Sequence, residues 1–553
     1  MALRSTRRAL CALALTAAAA LLPAPRSLAQ PPPAAGPCDR PVHPASQMAV
    51  EPCDTPARII GKAAHIIPTT GQLAWQRREI TAFTHFGMNT FTGREWGSGA
   101  EDEKLFAPAR LDVDQWMRAY KAAGAEQVML TAKHHDGFVL YPSRYTPHSV
   151  AASPGRPDVV GAYVRAARRA GLKVGLYLSP SDGAELPHAW HARWVAEIRK
   201  KQQEGKELTL PERIALEDGD HAPRGLGRFG NGSAVTARTI PTLVPGDDRT
   251  AAVRSGRLPT FHVLADDYDA YYLNQVYELF TQYGPVDELW LDGANPWSGS
   301  GITEPYHLAQ WFRMIHALSP GTVVFQGPQG VRWVGNENGV ARETEWSVTP
   351  HVQDPWTVLG GLPNDSTDPD IGSRAKLLAP TTRYLQWYPA EADVSIRPGW
   401  FHHPGERPKT PAQLMDLYER SVGRNASLLL NVPPARDGRI ADGDVASLTA
   451  FGAAVRDTYG RDLLTAGPGP WTFDRIGLAE DVRYGQRVER FTVQARTGGH
   501  WTAVAHGTTI GHRRILTLPA PVTADAVRVV VEEARGRTRL APVTVHRSRG
   551  PAG

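Results

Sequence analysis

Val286-Asp287-Glu288-Leu289-Trp290-Leu291-Asp292-Gly293-Ala294-Asn295-Pro296-Trp297 is the stretch whose reading decides the fold. It begins as a strand, apolar at Leu289 and Leu291, breaks at Gly293 and is ended by Pro296. Trp290 and Asp292 are two residues apart, and such residues share one side of a strand. An indole and a carboxylate therefore line one cavity at the C-terminal lip. In a βα-barrel that lip is where catalytic groups sit. An Asp before a Gly also starts ordinary turns, so the flanking sequence has to decide.

On the N-terminal side, Ile80 to Gly87 reads as a buried strand ending at a glycine, after a short helix from Gln72 to Arg78. Leu111 to Gly124 is a helix stopped by its glycine. Gln127 to Thr131 is a second strand, followed by Lys133-His134-His135-Asp136-Gly137-Phe138. Val159 to Ala170 is a helix ended by Gly171, and Lys173 to Pro180 is a third strand. Around and beyond the opening stretch the cycle continues: helix Tyr268 to Tyr283, strand Glu288 to Asp292, helix Tyr306 to Leu318, strand Thr322 to Gln326. It closes with helix Ala412 to Gly423 and strand Ser427 to Val432.

Alternating short apolar strands and glycine-stopped helices predict a parallel sheet of an α/β protein. No Gly-rich dinucleotide turn follows the first strand. The expectation is a (β/α)8-like barrel over residues 65–460, with strands six and seven among the loops between Trp333 and Pro411. Residues 186–261 are polar and rich in Gly and Pro, which reads as an insertion on the catalytic rim or as a disordered surface loop. After Tyr459, Trp471 to Leu478, Val488 to Ala495 and Ala526 to Val531 read as short strands of a β-sandwich filling residues 461–553.

Residues 1–29 have the form of a secretory leader: Arg4, Arg7 and Arg8, an apolar run from Leu10 to Leu22, and small residues at Ser27-Leu28-Ala29. Thr6-Arg7-Arg8-Ala9-Leu10 also resembles a twin-arginine signal. The expected location is secreted or periplasmic, with no membrane span in the mature chain. Residues 30–64 read as a Pro-rich, extended N-terminal arm. Cys38 and Cys53 remain after cleavage, and an oxidising compartment lets them pair.

Composition narrows the functions. Over 553 residues the hydrophobic share is 42%, the charged share 21% and the net charge only +5. That describes a soluble globular protein without a nucleic-acid footprint. Fifteen Trp and nineteen His suit sugar faces and hydroxyls. There is no Gly-x-Ser-x-Gly elbow, no phosphate loop and no His-Glu-x-x-His helix. The pair His134-His135 could ligate zinc, but no third ligand has a standard spacing, so no metal or cofactor is expected. What remains is the paired-carboxylate chemistry of glycoside hydrolysis. Asp292 is one carboxylate. Glu95, Glu337, Glu343 and Glu345 are candidates for the other, and spacing does not choose among them.

Thr84-His85-Phe86-Gly87, Glu95-Trp96-Gly97, Lys133 to Phe138, Leu289-Trp290-Leu291-Asp292-Gly293 and Asn431-Val432-Pro433-Pro434 with Asp437-Gly438-Arg439-Ile440 occur in that order. Together they resemble the α-L-fucosidases of glycoside hydrolase family 29, over roughly residues 70–460. The resemblance implies Asp292 as nucleophile. It implies fucose contacts at His85, Glu95, Trp96, His134, His135, Tyr177 and Trp290. Val331 to Gly339 resembles the branch that cleaves α-1,3 and α-1,4 fucosyl linkages on branched glycans, which implies Glu337 as acid/base. Glu480-Asp481 and Gly485 to Val488 resemble a discoidin-like module, whose usual role is carbohydrate binding. The implied partner is a fucosylated oligosaccharide or glycoconjugate. Two rivals stand beside this reading: a barrel glycosidase for another sugar such as α-galactose, and a non-catalytic fucose-binding protein.

Overall fold

The computed structural model describes residues 36, 38–185, 189–209, 212–213, 216, 227–229, 233–292, 306–362 and 368–548. Residues 1–41 and 42–553 are two compact units, and every barrel and sandwich element belongs to the second. The expected leader, residues 1–29, lies outside the described residues, as do 30–35 of the arm.

Eight strands form one sheet: β1 Ile80–Thr84, β2 Gln127–Lys133, β3 Lys173–Leu178, β4 Glu288–Trp290, β5 Val323–Val324, β6 Arg332–Trp333, β7 Ala390–Ser395 and β8 Ala426–Asn431. Their order is β5-β4-β3-β2-β1-β8-β7-β6, with every neighbour parallel. The end strands meet at one parallel bridge, Phe325 to Val331. This is the expected (β/α)8-like barrel. Strands β1, β2 and β8 are buried at every position, because helices cover the outside while side chains fill the inside.

The helices begin and end where side-chain chemistry says they should. α1 (Val113–Ala122) is capped by Asp112, which accepts from Gln115 N at 2.9 Å. α2 (Val159–Arg169) is capped in the same way by Asp158 and Gly161 N. Gly124 and Gly171 follow with φ of +90° and +73°, the left-handed turn that stops a helix. α3 (Asp267–Gln282) and α4 (Leu308–Leu318) flank β4 in sequence. α5 (Pro411–Ser421) starts with a Thr410–Gln413 capping box and Pro411 in its first turn.

Several elements depart from expectation. β6 is two residues long, and β7 carries Glu391 and Asp393 at buried positions, so neither strand shows an apolar pattern. β5 and β6 are joined directly by residues 325–331, without a helix. The arm expected over 30–64 is not simply extended. Gln47–Ala49 pairs antiparallel with residues 384–386, and Pro56–His65 is a helix capped by Thr55. Its Ile60 and Ala63 are buried in a cluster with Val348, Leu385 and Trp387, which is what makes folding that segment worthwhile. The 186–261 insertion holds the helices Ala189–Gln203 and Thr250–Arg254 and the strand Thr236–Ile240, which pairs antiparallel with Phe261–Ala265 at the insertion's end, so its described residues include ordered elements. Its residues 186–188, 210–211, 214–215, 217–226 and 230–232 lie outside the described set. It leaves after β3 and returns into α3, on the C-terminal side of the strands.

α6 (Asp442–Tyr459), a helix unread in the sequence, leads out of the barrel. Beyond it stand β9 Trp471–Leu478, β10 Val488–Thr497, β11 His500–Gly507, β12 Arg514–Ala524, β13 Ala526–Ala534 and β14 Thr544–His546. They make two three-stranded antiparallel sheets, β12-β9-β14 and β11-β10-β13. Phe473, Ile476, Val488, Phe491, Val493 and Val545 form a shared core, so this is the expected β-sandwich.

Candidate active site

β4 ends at Trp290, and the chain leaves the sheet through Leu291 and Asp292. Trp290 is stacked between Phe325 (3.8 Å between ring centres) and Tyr177 (5.2 Å). Its Nε1 donates to Glu391 Oε2 at 2.9 Å. Asp292 Oδ2 accepts from the Tyr177 hydroxyl at 2.9 Å and lies 3.1 Å from His135 Nε2. Ser179 donates its hydroxyl proton to the Ser181 carbonyl at 2.7 Å. In its 2.8 Å contact with His135 Nδ1 it must therefore accept, and Nε2 is left facing Asp292. Trp96 stacks on the His135 ring at 4.5 Å. Burial first, and the charge of Asp292 next, hold the Tyr177 phenol well above its ordinary range, so it stays a donor.

His85 closes the adjacent wall. Its Nδ1 lies 2.9 Å from the Asn431 side-chain oxygen, which also accepts from His85 N at 3.2 Å. Burial pushes the His85 ring down to about 3, so it is neutral, with Nδ1 donating and Nε2 an acceptor. His134 stacks on Tyr177 at 5.7 Å. Burial, then the neighbouring His135 and His85, push it well below the usual histidine range. Two neutral imidazoles and an indole beside a carboxylate suit hydroxyl-rich, uncharged ligands.

Glu337 sits in the loop after β6, exposed at the lip. Its neighbour Asn336 folds that loop by accepting from Asn338 N and donating to the Val340 carbonyl. At Gly339, φ is +70° and a Cβ would lie 2.7 Å from Val394 Cγ1, so only glycine lets the loop close on β7. The Glu337 carboxyl is pushed up, first by loss of water and then by the charges of Asp292 and Glu95, against an indole N–H from Trp400 that favours ionisation. Beneath it, Asp393 accepts from Trp333 Nε1 at 2.8 Å. Burial, then the charge of Glu337, push Asp393 up to about 8.

The other carboxylates are otherwise engaged. Glu345 is fully buried and ion-paired with Arg332 and Arg342. Glu343 pairs with Arg424 and Arg514 where barrel meets sandwich. Neither is part of the Asp292 cluster described above. Glu95 Oε2 accepts from Trp400 N at 2.7 Å, while its Oε1 accepts from Phe401 N at 3.3 Å and lies 2.6 Å from His403 Nε2.

The structure brings Asp292, His85, His134, His135, Tyr177, Trp290 and Trp96 into one contact cluster, and Glu337 lies within reach of the charge of Asp292. Sequence reading missed Ser179, Asp393, Asn431, Trp400, Phe401 and His403 as site residues. Asn431 ends β8 within a quoted motif, and that was its only signal; Trp400 to His403 lie in a loop with no periodicity at all. Among the described residues, no group of three or more His, Cys, Asp or Glu is placed to hold a metal ion. No described helix is long and apolar enough to cross a membrane.

Residues 72–458 match the family model described as alpha-L-fucosidase. A rice protein (Oryza sativa subsp. japonica) named as a candidate alpha-L-fucosidase 1 is 34% identical, over 85% of this chain and 83% of that one. Alpha-L-fucosidase 1 of Arabidopsis thaliana is 32% identical, over 85% of each chain. The crystal structure of a candidate alpha-L-fucosidase from Bacteroides ovatus is 36% identical with a TM-score of 0.72, covering 92% of this chain and 78% of that one.

Proposed function

Because this chain belongs to the α-L-fucosidase family, glycoside hydrolase family 29, we propose that Asp292 and Glu337 are its nucleophile and acid/base. It is a retaining α-L-fucosidase; the linkage we assign is terminal α-1,3- or α-1,4-linked L-fucose on branched glycans. The observation that carries the residue assignment is the interplay of two carboxyls at one barrel mouth. The charge of Asp292 helps keep the proton on Glu337, while Tyr177 donates to Asp292 Oδ2 and His135 Nε2 lies 3.1 Å from it.

In the first step Asp292 attacks the anomeric carbon, and Glu337 gives its proton to the leaving glycosidic oxygen. In the second, Glu337 takes a proton from water as that water displaces Asp292, releasing fucose. An acid that must be protonated beside an ionised nucleophile needs its affinity for the proton raised, which is the direction found for Glu337. His85, His134 and His135 meet sugar hydroxyls, and Trp96, Tyr177 and Trp290 supply the flat walls. Glu95 acts less directly, since both its oxygens are engaged by the 400–403 loop.

The linkage assignment leans on the likeness of Val331 to Gly339 to the branch with that preference. The discoidin-like character of the sandwich and export through residues 1–29 belong to the same proposal. So does the pairing of Cys38 with Cys53 that an oxidising compartment allows. The test is fucose release from a Lewis-type oligosaccharide. Asp292→Gly should lower turnover by about 10⁴-fold while leaving the folded state intact. Glu337→Ala should be rescued by azide on an activated aryl fucoside. Wild-type rates in Asp292→Gly, or an indifferent response of Glu337→Ala to azide, would refute the assignment.

A further inference from the structure

We propose that Ser179 is a positioning residue: with Asp292 on the opposite side, it holds the His135 ring as an imidazolium, protonated on both nitrogens. The role given to that cation rests on Asp292 being the nucleophile; the proton pattern itself does not. Just past the end of β3, Ser179 donates its hydroxyl proton to the Ser181 carbonyl at 2.7 Å, since a carbonyl has none to give. Ser179 Oγ then offers only lone pairs to His135 Nδ1 at 2.8 Å, so Nδ1 carries a proton. On the other side, Nε2 lies 3.1 Å from Asp292 Oδ2, which accepts the Tyr177 hydroxyl at 2.9 Å. The Tyr177 oxygen, its proton given away, is a second acceptor 3.4 Å from Nε2. Lone pairs facing one another across these gaps repel, so a proton belongs there as well. A carboxylic acid gives up its proton more readily than an imidazolium does, so that proton rests on Nε2. Trp96 lies over the ring at 4.5 Å and 23°, offering the indole face that attracts a cation.

The two neighbouring histidines are held differently. Asn431 donates through Nδ2 to Ser395 Oγ and to the Trp400 carbonyl, which turns its side-chain oxygen to His85, so His85 is protonated at Nδ1. Asn89 donates through Nδ2 to the Glu95 carbonyl, and the same nitrogen faces His134 Nδ1 at 3.5 Å, so His134 accepts there and carries its proton on Nε2. Burial keeps both of these rings neutral, and a charged His135, 4.6 Å from His134, adds to that. Three histidines of one cluster thus carry three proton patterns, and the charged one faces the carboxylate. The consequence lies in the second step of hydrolysis. As water displaces Asp292, the bond from the anomeric carbon to the Asp292 oxygen breaks and its electron pair returns to the carboxylate. A cation already fixed at Oδ2 steadies that charge as it forms. A sugar hydroxyl meets His135 by sharing its Nε2–H.

Nitrogen-15 NMR of the full chain labelled at histidine reads these patterns directly, with the His135 signals assigned by their loss in His135→Gln. At neutral pH the unmodified chain should show two protonated nitrogens on His135. Asp292→Asn removes the negative charge, and the ring should fall back to the single Nδ1–H that Ser179 still accepts. Ser179→Ala removes that acceptor and should leave the single Nε2–H that Asp292 accepts. On an activated aryl fucoside, whose good leaving group makes the second step the slower one, Ser179→Ala should lower kcat by about tenfold with KM little changed. Ser179→Thr restores a hydroxyl and should recover both the second N–H and most of kcat, with thermal unfolding as the check on folding. A single protonated nitrogen on His135 in the unmodified chain, or two that persist in Asp292→Asn, overturns the proposal, and neither result needs Ser179→Ala to fold. Two protonated nitrogens persisting in a folded Ser179→Ala remove the part given to Ser179. Turnover of Asp292→Gly separates the two claims. If that variant is inactive, a singly protonated His135 refutes only the imidazolium; if it is active, the nucleophile assignment falls, and with it the role of the cation, whatever the proton count.

Discussion

Tyr177 gives its one hydroxyl proton to Asp292 at 2.9 Å, and its ring stacks on both Trp290 and His134. Tyr177→Phe keeps the stacking and removes the bond. A hydrogen bond to a charged group is worth ~1.5–3 kcal/mol, so kcat should fall by about 10- to 100-fold. The fall should sit in kcat more than in KM, because the lost partner steadies the proposed nucleophile. Steady-state kinetics would show it, and an unchanged kcat would mean Asp292 does not depend on that bond. At this scale much was readable from sequence. His85, His134-His135, Tyr177 and Asp292 stand at or just past strand ends, where a barrel puts its chemistry. Choosing Glu337 over Glu343 and Glu345 was not readable from spacing. The three lie within nine positions, and only three-dimensional pairing shows that Arg332, Arg342, Arg424 and Arg514 occupy the other two.

Strands β4 and β7 carry a second feature, below the mouth. Glu288 accepts from Trp75 Nε1 at 2.8 Å and from Gln127 Nε2 at 2.5 Å. Glu391 accepts from Trp290 Nε1. Both are fully buried, and their Oε1 atoms meet no donor among the described residues. Burial pushes both carboxyls up, and the charge of Glu288 pushes Glu391 further. One proton held between them satisfies both. Carboxyls raised in the folded state bind protons that the unfolded chain has already released. Their contribution is thus fully present below the ordinary carboxylate range and is lost as pH rises through the folded values. Glu391→Gln supplies a permanent N–H donor and still accepts from Trp290. The decline of the unfolding midpoint with rising pH should therefore be shallower in this variant, and an identical slope in calorimetric scans would contradict it. The same acids explain why β7 escaped the sequence. Ala390-Glu391-Ala392-Asp393-Val394-Ser395 reads as polar, although every position is buried. β6, at two residues, is too short for any periodicity, while β5, equally short, falls inside the strand read from Thr322 to Gln326. Helices were easier, because Asp caps and glycine stops announce α1 and α2 on either side of β2.

Across the whole molecule, the sandwich is built into the barrel. Gln486 accepts from Ser347 N at 2.6 Å and donates to the Glu345 carbonyl at 3.0 Å, both buried. Arg535 lies over the Trp346 ring at 3.6 Å. These contacts hold residues 345–347, a few positions after the Glu337 loop, so the sandwich braces the wall that carries Glu337. The barrel does the complementary work of bringing that loop, from after β6, to the end of β4, 45 positions earlier in the chain. Alternation of strands and helices predicted the barrel and a two-sheet module, but the junction was invisible, since its contacts depend on tertiary placement alone. This assembly should put Asp292 in line with the anomeric carbon. Incubation with a 2-deoxy-2-fluoro-fucosyl donor, followed by proteolysis and mass spectrometry, tests that placement. A single fluorofucosyl ester on the peptide containing Asp292, formed with loss of activity, is expected; an adduct on any other carboxylate, or inactivation with Asp292 unmodified, would rule out Asp292 as the nucleophile.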